Sequence, residues 1–126
     1  MGRLVITALT ILAGAVGSVL RFLVDAAFKT RRTTVFPWAT AIINTTGSLF
    51  LGVLAGLVLF HAHPTAWQAI LGTGFCGGYT TFSTASFETV RLLEQRRPLL
   101  ALVNTIGTLT CTIGACLTGL ALVWAL

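Results

Sequence analysis

Apolar residues fill four runs that together take up nearly the whole chain, at about residues 4–24, 36–60, 66–94 and 98–125. A helix needs roughly 20 apolar residues to cross the hydrocarbon of a bilayer, so each run predicts one span. Polar residues cluster between the runs in three short connections: Asp25 to Val35, His61 to Thr65, and Gln95 to Arg97. Pro37 and Pro98 stand where a first helical turn begins, the position that tolerates proline. The pattern predicts an all-α membrane protein, residues 1–126 forming a single transmembrane domain. The first run lacks a small-residue cleavage site and leads straight into further spans, so it reads as a span rather than a removable signal.

The third run is different. Gly72, Gly74, Gly77 and Gly78 fall within seven residues, inside a Gly- and Thr-rich stretch from Gly72 to Thr84. Glycine at this density disfavours a continuous helix, and a broken third helix is expected, with a kinked continuous helix as the alternative. Irregular backbone at membrane depth is tolerated only inside protein or beside a cavity. Carbonyls freed there can hold a cation, and freed N–H groups and Thr hydroxyls can serve an anion. Phe75, Phe82 and Phe87 read from pattern as core or lipid-facing, although a ring edge is electropositive and can face an anion.

Composition supports lipid as the solvent. Of 126 residues, 56% are hydrophobic and only 9% are charged, with a mean hydropathy of +0.93. A soluble domain of this length needs far more charged surface. The net charge is +5 and the isoelectric point near 10.1. The basic residues flank the spans, so they specify topology and not nucleic-acid binding. Arg21, Lys29, Arg31 and Arg32 lie at the first connection and Arg91, Arg96 and Arg97 at the third, against Arg3 alone on the opposite face. This bias of seven to one places the first and third connections in the cytoplasm of a cell (inner or plasma) membrane.

Catalytic chemistry is not evident. Cys76, Cys111 and Cys116 lie within apolar runs without metal-type spacing and read as small packing residues. His61 and His63 sit in the second connection and read as interfacial. No nucleophile–base pair is visible, so an enzyme is not expected. Glu88 is the sole carboxylate near a span interior, toward the cytoplasmic end of the third run. A proton-coupled exporter needs a central carboxylate, and its absence favours a passive pathway.

Two polar stripes run at helical spacing: Thr40, Asn44, Gly47 and Ser48 in the second run, and Asn104, Thr108, Cys111 and Thr112 in the fourth. In lipid such groups either bond across helices or line a wet path. Ser48, Gly52 and Gly56 also follow the small-xxx-small spacing of close helix contacts.

The segment Gly74-Phe-Cys-Gly-Gly-Tyr-Thr-Thr-Phe-Ser-Thr84, followed by Glu88, resembles the CrcB/Fluc fluoride channel family, as do Gly14-Ala-Val-Gly-Ser-Val-Leu-Arg21 and Asn44-Thr-Thr-Gly47. The resemblance covers almost the whole chain. It implies a passive, fluoride-selective channel that exports cytoplasmic fluoride and lowers its toxicity, built as an antiparallel dimer with two pores. It also implies a structural sodium ion held by the backbone carbonyls of Gly77 and Thr80. Asn44 would be a pore amide and Phe82 would offer a ring edge to fluoride. Asn104, Thr108 and Thr112 would continue the polar track. Arg21 would lie in an aqueous vestibule, and Glu88 would be a conformational or hydrogen-bonding element. The family pattern carries a second aromatic where this chain has Ala85. The expected assembly is a homodimer or a heterodimer with an oppositely oriented homologue, and the charge bias, which implies one fixed orientation, favours the heterodimer. Alternatives from other classes are a small four-span drug or cation exporter and a non-conducting partner subunit.

Overall fold

A computed structural model describes residues 2–31 and 33–126; Arg32 of the charge count lies outside the described residues. Helix α1 runs Arg3–Arg31, α2 Trp38–His61, α3 residues 65–79, α4 Phe82–Glu94, and α5 Pro98–Trp124. No strand occurs among the described residues. Three helices, α1, α2 and α5, are long and apolar enough to cross a membrane by length and composition. Much of their apolar surface faces outward: Leu4, Phe22, Leu59 and Leu99 are all largely exposed. An outward apolar surface around a small core, with Ile43, Leu54, Leu92 and Val123 inside, is the arrangement lipid requires.

Helix α1 continues past the apolar run, through residues 25–31. Its extension carries an i,i+4 ion pair, Lys29 Nζ to Asp25 Oδ2 at 2.6 Å. Lys29 and Arg31 occupy its last turn, where positive charge complements the helix dipole. Much of the polar first connection is therefore helical.

The glycines of the third run do not leave the helix. Gln68–Cys76 is wound as π-helix and Gly77–Tyr79 as α-helix. The non-helical backbone lies at Thr80 (φ −78°, ψ 162°) and Thr81 (φ −151°, ψ 124°). The reason is steric. A Cβ at Gly74 would come within 2.5 Å of the Thr10 carbonyl oxygen, and one at Gly78 would strike the Gly14 carbonyl. Gly17 of α1 is in turn pressed against the Phe75 carbonyl and the Tyr79 N–H. These glycines let α1 and α3 meet backbone to backbone, the means by which helices associate in lipid.

The same device joins α2 to α5, an interface as extensive as that of α1 with α3. Gly52 abuts the Cys116 carbonyl, Gly119 abuts the Leu49 carbonyl, and Gly56 faces the Val123 side chain. Beyond α2, Ala62 turns left-handed (φ 51°) and His61 Nε2 lies 3.1 Å from the Val123 carbonyl, tying this end of α2 to α5.

Overfilling such a contact costs about 1–3 kcal/mol or more. Gly52→Leu is therefore expected to lower the thermal unfolding midpoint in detergent by many degrees. Gly114→Ala, where a Cβ meets open space, is expected to leave it unchanged.

Candidate functional site

The site is built around the α3–α4 junction. Thr80 ends α3 by donating both its N–H and its Oγ1–H to the Cys76 carbonyl, each at 2.8 Å. Thr81 starts α4 as its N-cap: its Oγ1 accepts the Thr84 N–H at 3.2 Å and donates to Thr84 Oγ1 at 3.0 Å. A Ser/Thr/Asp/Asn cap of this kind satisfies one of the free N–H groups at a helix start.

Two neighbouring helices hold the junction. Asn44 of α2 engages both backbone groups of Thr81: its Oδ1 accepts the Thr81 N–H at 2.8 Å, and its Nδ2 donates to the Thr81 carbonyl at 2.9 Å. The side-chain amide here replaces a missing stretch of peptide backbone. Gly47, one turn further along α2, leaves room for the Thr80 methyl and the Tyr79 ring. From α1, Ser18 Oγ donates to the Gly78 carbonyl at 3.3 Å and Arg21 Nη1 reaches the Thr80 carbonyl at 3.5 Å.

Beside the junction lies an open cavity of about 740 Å³. Asn44, Gly77, Thr80 and Phe82 line one part of its wall, and Asn104, Thr108 and Thr112 of α5 line another. These are the residues to which the resemblance assigns a pore and a cation, and they line one cavity. Asn104 is 2% exposed and donates from Nδ2 to Thr89 Oγ1 at 2.9 Å. The Thr108 Oγ1 is buried without a hydrogen-bond partner among the described residues. Phe82 is 88% exposed, so this chain leaves its ring uncovered. Ala85 contributes only a methyl to the wall.

The remaining two candidates lie elsewhere. Arg21 does not line this cavity and approaches the junction from the α1 side. Glu88 lines a second, smaller cavity of about 270 Å³ together with Asp25, Lys29, Trp38 and Arg91. Its Oε1 accepts the Thr40 hydroxyl at 2.9 Å, so Thr40 parts company with Asn44 and turns to a different site. Cys111, on the α5 stripe, is exposed and off the cavity.

Sequence reasoning passed over Thr81, Ser86, Thr89 and Thr105, which also line the cavity. Thr81 stood inside the recognised segment, and its pairing with Asn44 depends on a contact between helices. For Thr89 a signal was available: at i, i+4 from Ala85 it shares a helix face with a wall residue.

The cation reading can be tested on the junction itself. In an unbroken helix the Thr81 N–H would bond the Gly77 carbonyl; here Asn44 takes that N–H, and a Cβ at Gly77 would meet nothing within 4 Å. The Thr84 N–H, which helical bonding would aim at the Thr80 carbonyl, goes instead to Thr81 Oγ1. The Gly77 carbonyl oxygen, released from helical bonding, suits a hard cation in kind, whereas the Thr80 oxygen also faces the Arg21 guanidinium at 3.5 Å. One chain supplies only part of the oxygen shell such an ion takes.

The chain matches a family model described as CrcB-like protein, Camphor Resistance (CrcB), over residues 8–120. It is 48% identical over 120 residues to fluoride-specific ion channel FluC 1 of Leifsonia xyli subsp. xyli, covering 95% of this chain and 87% of that one. It is 45% identical over 108 residues to FluC 2 of Mycobacterium bovis, covering 86% and 82%. It is 42% identical over 111 residues to FluC of Nitrobacter winogradskyi, covering 87% and 88%.

Asn44→Leu would leave the N–H and C=O of the buried Thr81 without their side-chain partners, at about 1–3 kcal/mol for each orphaned group. The expected outcome is a lower unfolding midpoint and markedly faster hydrogen exchange at the Thr81 amide, with the Leu54 amide in mid-α2 little changed.

Proposed function

The chain belongs to the CrcB-like family, and from that premise we propose that it is a subunit of a passive, fluoride-selective channel through which cytoplasmic fluoride leaves the cell. The observation that carries the reading is the wall of the larger cavity. In a molecule whose surface is mostly apolar, amides and hydroxyls from α2, the α3–α4 junction and α5 are set among apolar side chains such as Leu51, Val90 and Leu109 on one concave face. That wall bears no charged side chain. Fluoride is strongly hydrated, and a pore must replace its water with donors. The Thr108 hydroxyl, without a partner among the described residues, and the uncovered Phe82 ring would be such donors. Entry of fluoride as HF and ionisation in the cytoplasm would supply the outward gradient, so no coupled proton carrier is needed.

In this reading the protein crosses the cell membrane four times. Helices α3 and α4 form one broken crossing, and the first and third connections face the cytoplasm. Lipid surrounds the outward apolar faces. The subunit pairs with an antiparallel partner, and two features support that. The Phe82 ring is uncovered in one chain, and the Gly77 and Thr80 carbonyls make an incomplete cation shell. Across a two-fold axis the same carbonyls of both subunits would hold one structural sodium ion, whose charge would pin two junctions together. Arg21 would draw anions toward the vestibule from its place near Thr80, and Glu88, bonded to Thr40, would act on conformation from the smaller cavity. The seven-to-one charge bias favours a heterodimer with an oppositely oriented homologue over a homodimer. The reading involves no nucleic acid.

One observation favours a second reading. Ala85 removes an aromatic from the wall, which suits a non-conducting subunit that only supports its partner. Fluoride efflux from liposomes separates the two. Phe82→Ile in this chain, co-reconstituted with an oppositely biased homologue, is expected to reduce flux about tenfold or more, the loss of one well-placed anion contact. Unchanged flux would establish the supporting role instead. The chain reconstituted alone is expected to give little flux; robust flux from it would contradict the heterodimer.

A further inference from the structure

An anion held without charged side chains is held by the protons of N–H and O–H groups. What each hydroxyl on the cavity wall can offer therefore depends on where its proton goes. A hydroxyl has one proton, and in a helix that proton is readily spent on a carbonyl of the preceding turn. Most hydroxyls of this wall spend it so. Thr80 donates to the Cys76 carbonyl at 2.8 Å, Ser86 to that of Phe82 at 3.0 Å, Thr89 to that of Ala85 at 2.9 Å, and Thr105 to that of Ala101 at 3.0 Å. Thr112 donates to the Leu109 carbonyl at 3.0 Å, and Thr81 donates to Thr84 Oγ1 at 3.0 Å. These six oxygens offer a ligand only lone pairs. Thr108 keeps its proton, but its oxygen is enclosed by protein. Ser48 of α2 differs from all of them. It lines the cavity, its hydroxyl makes no hydrogen bond among the described residues, and its oxygen is not enclosed.

The register of α2 against α5 shows what stands opposite Ser48. Gly52 meets Cys116, and Gly56, one turn further, meets Val123, so the two helices run in the same direction. One turn back from the Gly52–Cys116 contact are Ser48 and Thr112, and a second turn back are Asn44 and Thr108. All four line the cavity. The Thr112 proton is spent, so at this level the donor must come from α2. We infer that Ser48 is an anion-binding residue of the pathway, its hydroxyl donating to fluoride one turn beyond Asn44 on the same face of α2. The inference rests on the fluoride-pathway reading and deepens it. Ser48 also belongs to the small-xxx-small series with Gly52 and Gly56, but the close helix contacts fall to those two glycines, and Ser48 is left to the cavity.

The test is fluoride efflux as a function of fluoride concentration, in liposomes holding the conducting assembly. The chain carries Ser48→Ala or Thr110→Ala, each preparation eluting as the wild-type assembly does. Ser48→Ala removes the hydroxyl and adds no volume, so the helix contacts are kept. It is expected to raise the half-saturating fluoride concentration about tenfold, the effect of losing one hydrogen bond to a charged ligand. Ser48→Gly tests the same loss if Ser48→Ala does not assemble. Thr110→Ala removes an exposed hydroxyl that is bonded to the Ile106 carbonyl and lies off the cavity, and it is expected to match wild type. An unchanged half-saturating concentration without the Ser48 hydroxyl, whether or not maximal flux falls, would overturn the inference and leave the pathway reading standing. A wild-type assembly that passes no fluoride would overturn the pathway reading and the inference with it.

Discussion

The reciprocal pair between Asn44 and the backbone of Thr81 is the contact on which the rest of the structure depends. Two consecutive extended residues interrupt helical bonding between α3 and α4. Orphaned peptide groups at membrane depth cost several kcal/mol each. Asn44 answers one N–H and one C=O with a single side chain, and the Thr81 hydroxyl caps the helix that follows. Because Asn44 takes the Thr81 N–H, the Gly77 carbonyl loses its helical donor. The same interaction therefore closes the chain on one side of the junction and opens an oxygen on the other.

Close backbone packing brings together the helices that carry this pair. Gly14, Gly17, Gly74 and Gly78 bring α1 and α3 into direct contact, and Gly52 and Gly119 do so for α2 and α5. Lipid offers no hydrophobic drive between helices, so fit and hydrogen bonding must hold them together. The junction sits where α1, α2 and α3 meet, and α5 brings its polar stripe to the far wall. A change at a glycine is thus felt at the cavity through the separation of whole helices.

The three long apolar helices and the polar positions of α5 that reach the cavity were legible because they are local patterns of period 3.6 and of composition. Asn104, Thr108 and Thr112 repeat every four residues and share a face whatever the tertiary structure. The glycines of the third run were legible as important, but their role was not. Density of glycine signals a weak helix, yet here the helix survives because a neighbouring helix lies against it; whether a glycine breaks or packs depends on what stands opposite. The α1 extension past Val24 was hidden because an amphipathic, ion-paired helical end looks like a polar connection. Glu88 and Thr40 appeared as separate features, and only the fold shows them bonded to each other, with Glu88 lining a second cavity.

The central claim is that an uncharged wall of amides, hydroxyls and a ring edge replaces the water around fluoride and lets it pass down its own gradient. The most direct measurement is permeation of fluoride and chloride, side by side, through the purified assembly in potassium-loaded liposomes, with valinomycin carrying the countercharge and no pH gradient imposed. The account predicts rapid fluoride efflux, negligible chloride efflux and no requirement for proton movement. Equal permeation of the two anions, or fluoride movement that needs a proton gradient, would contradict it.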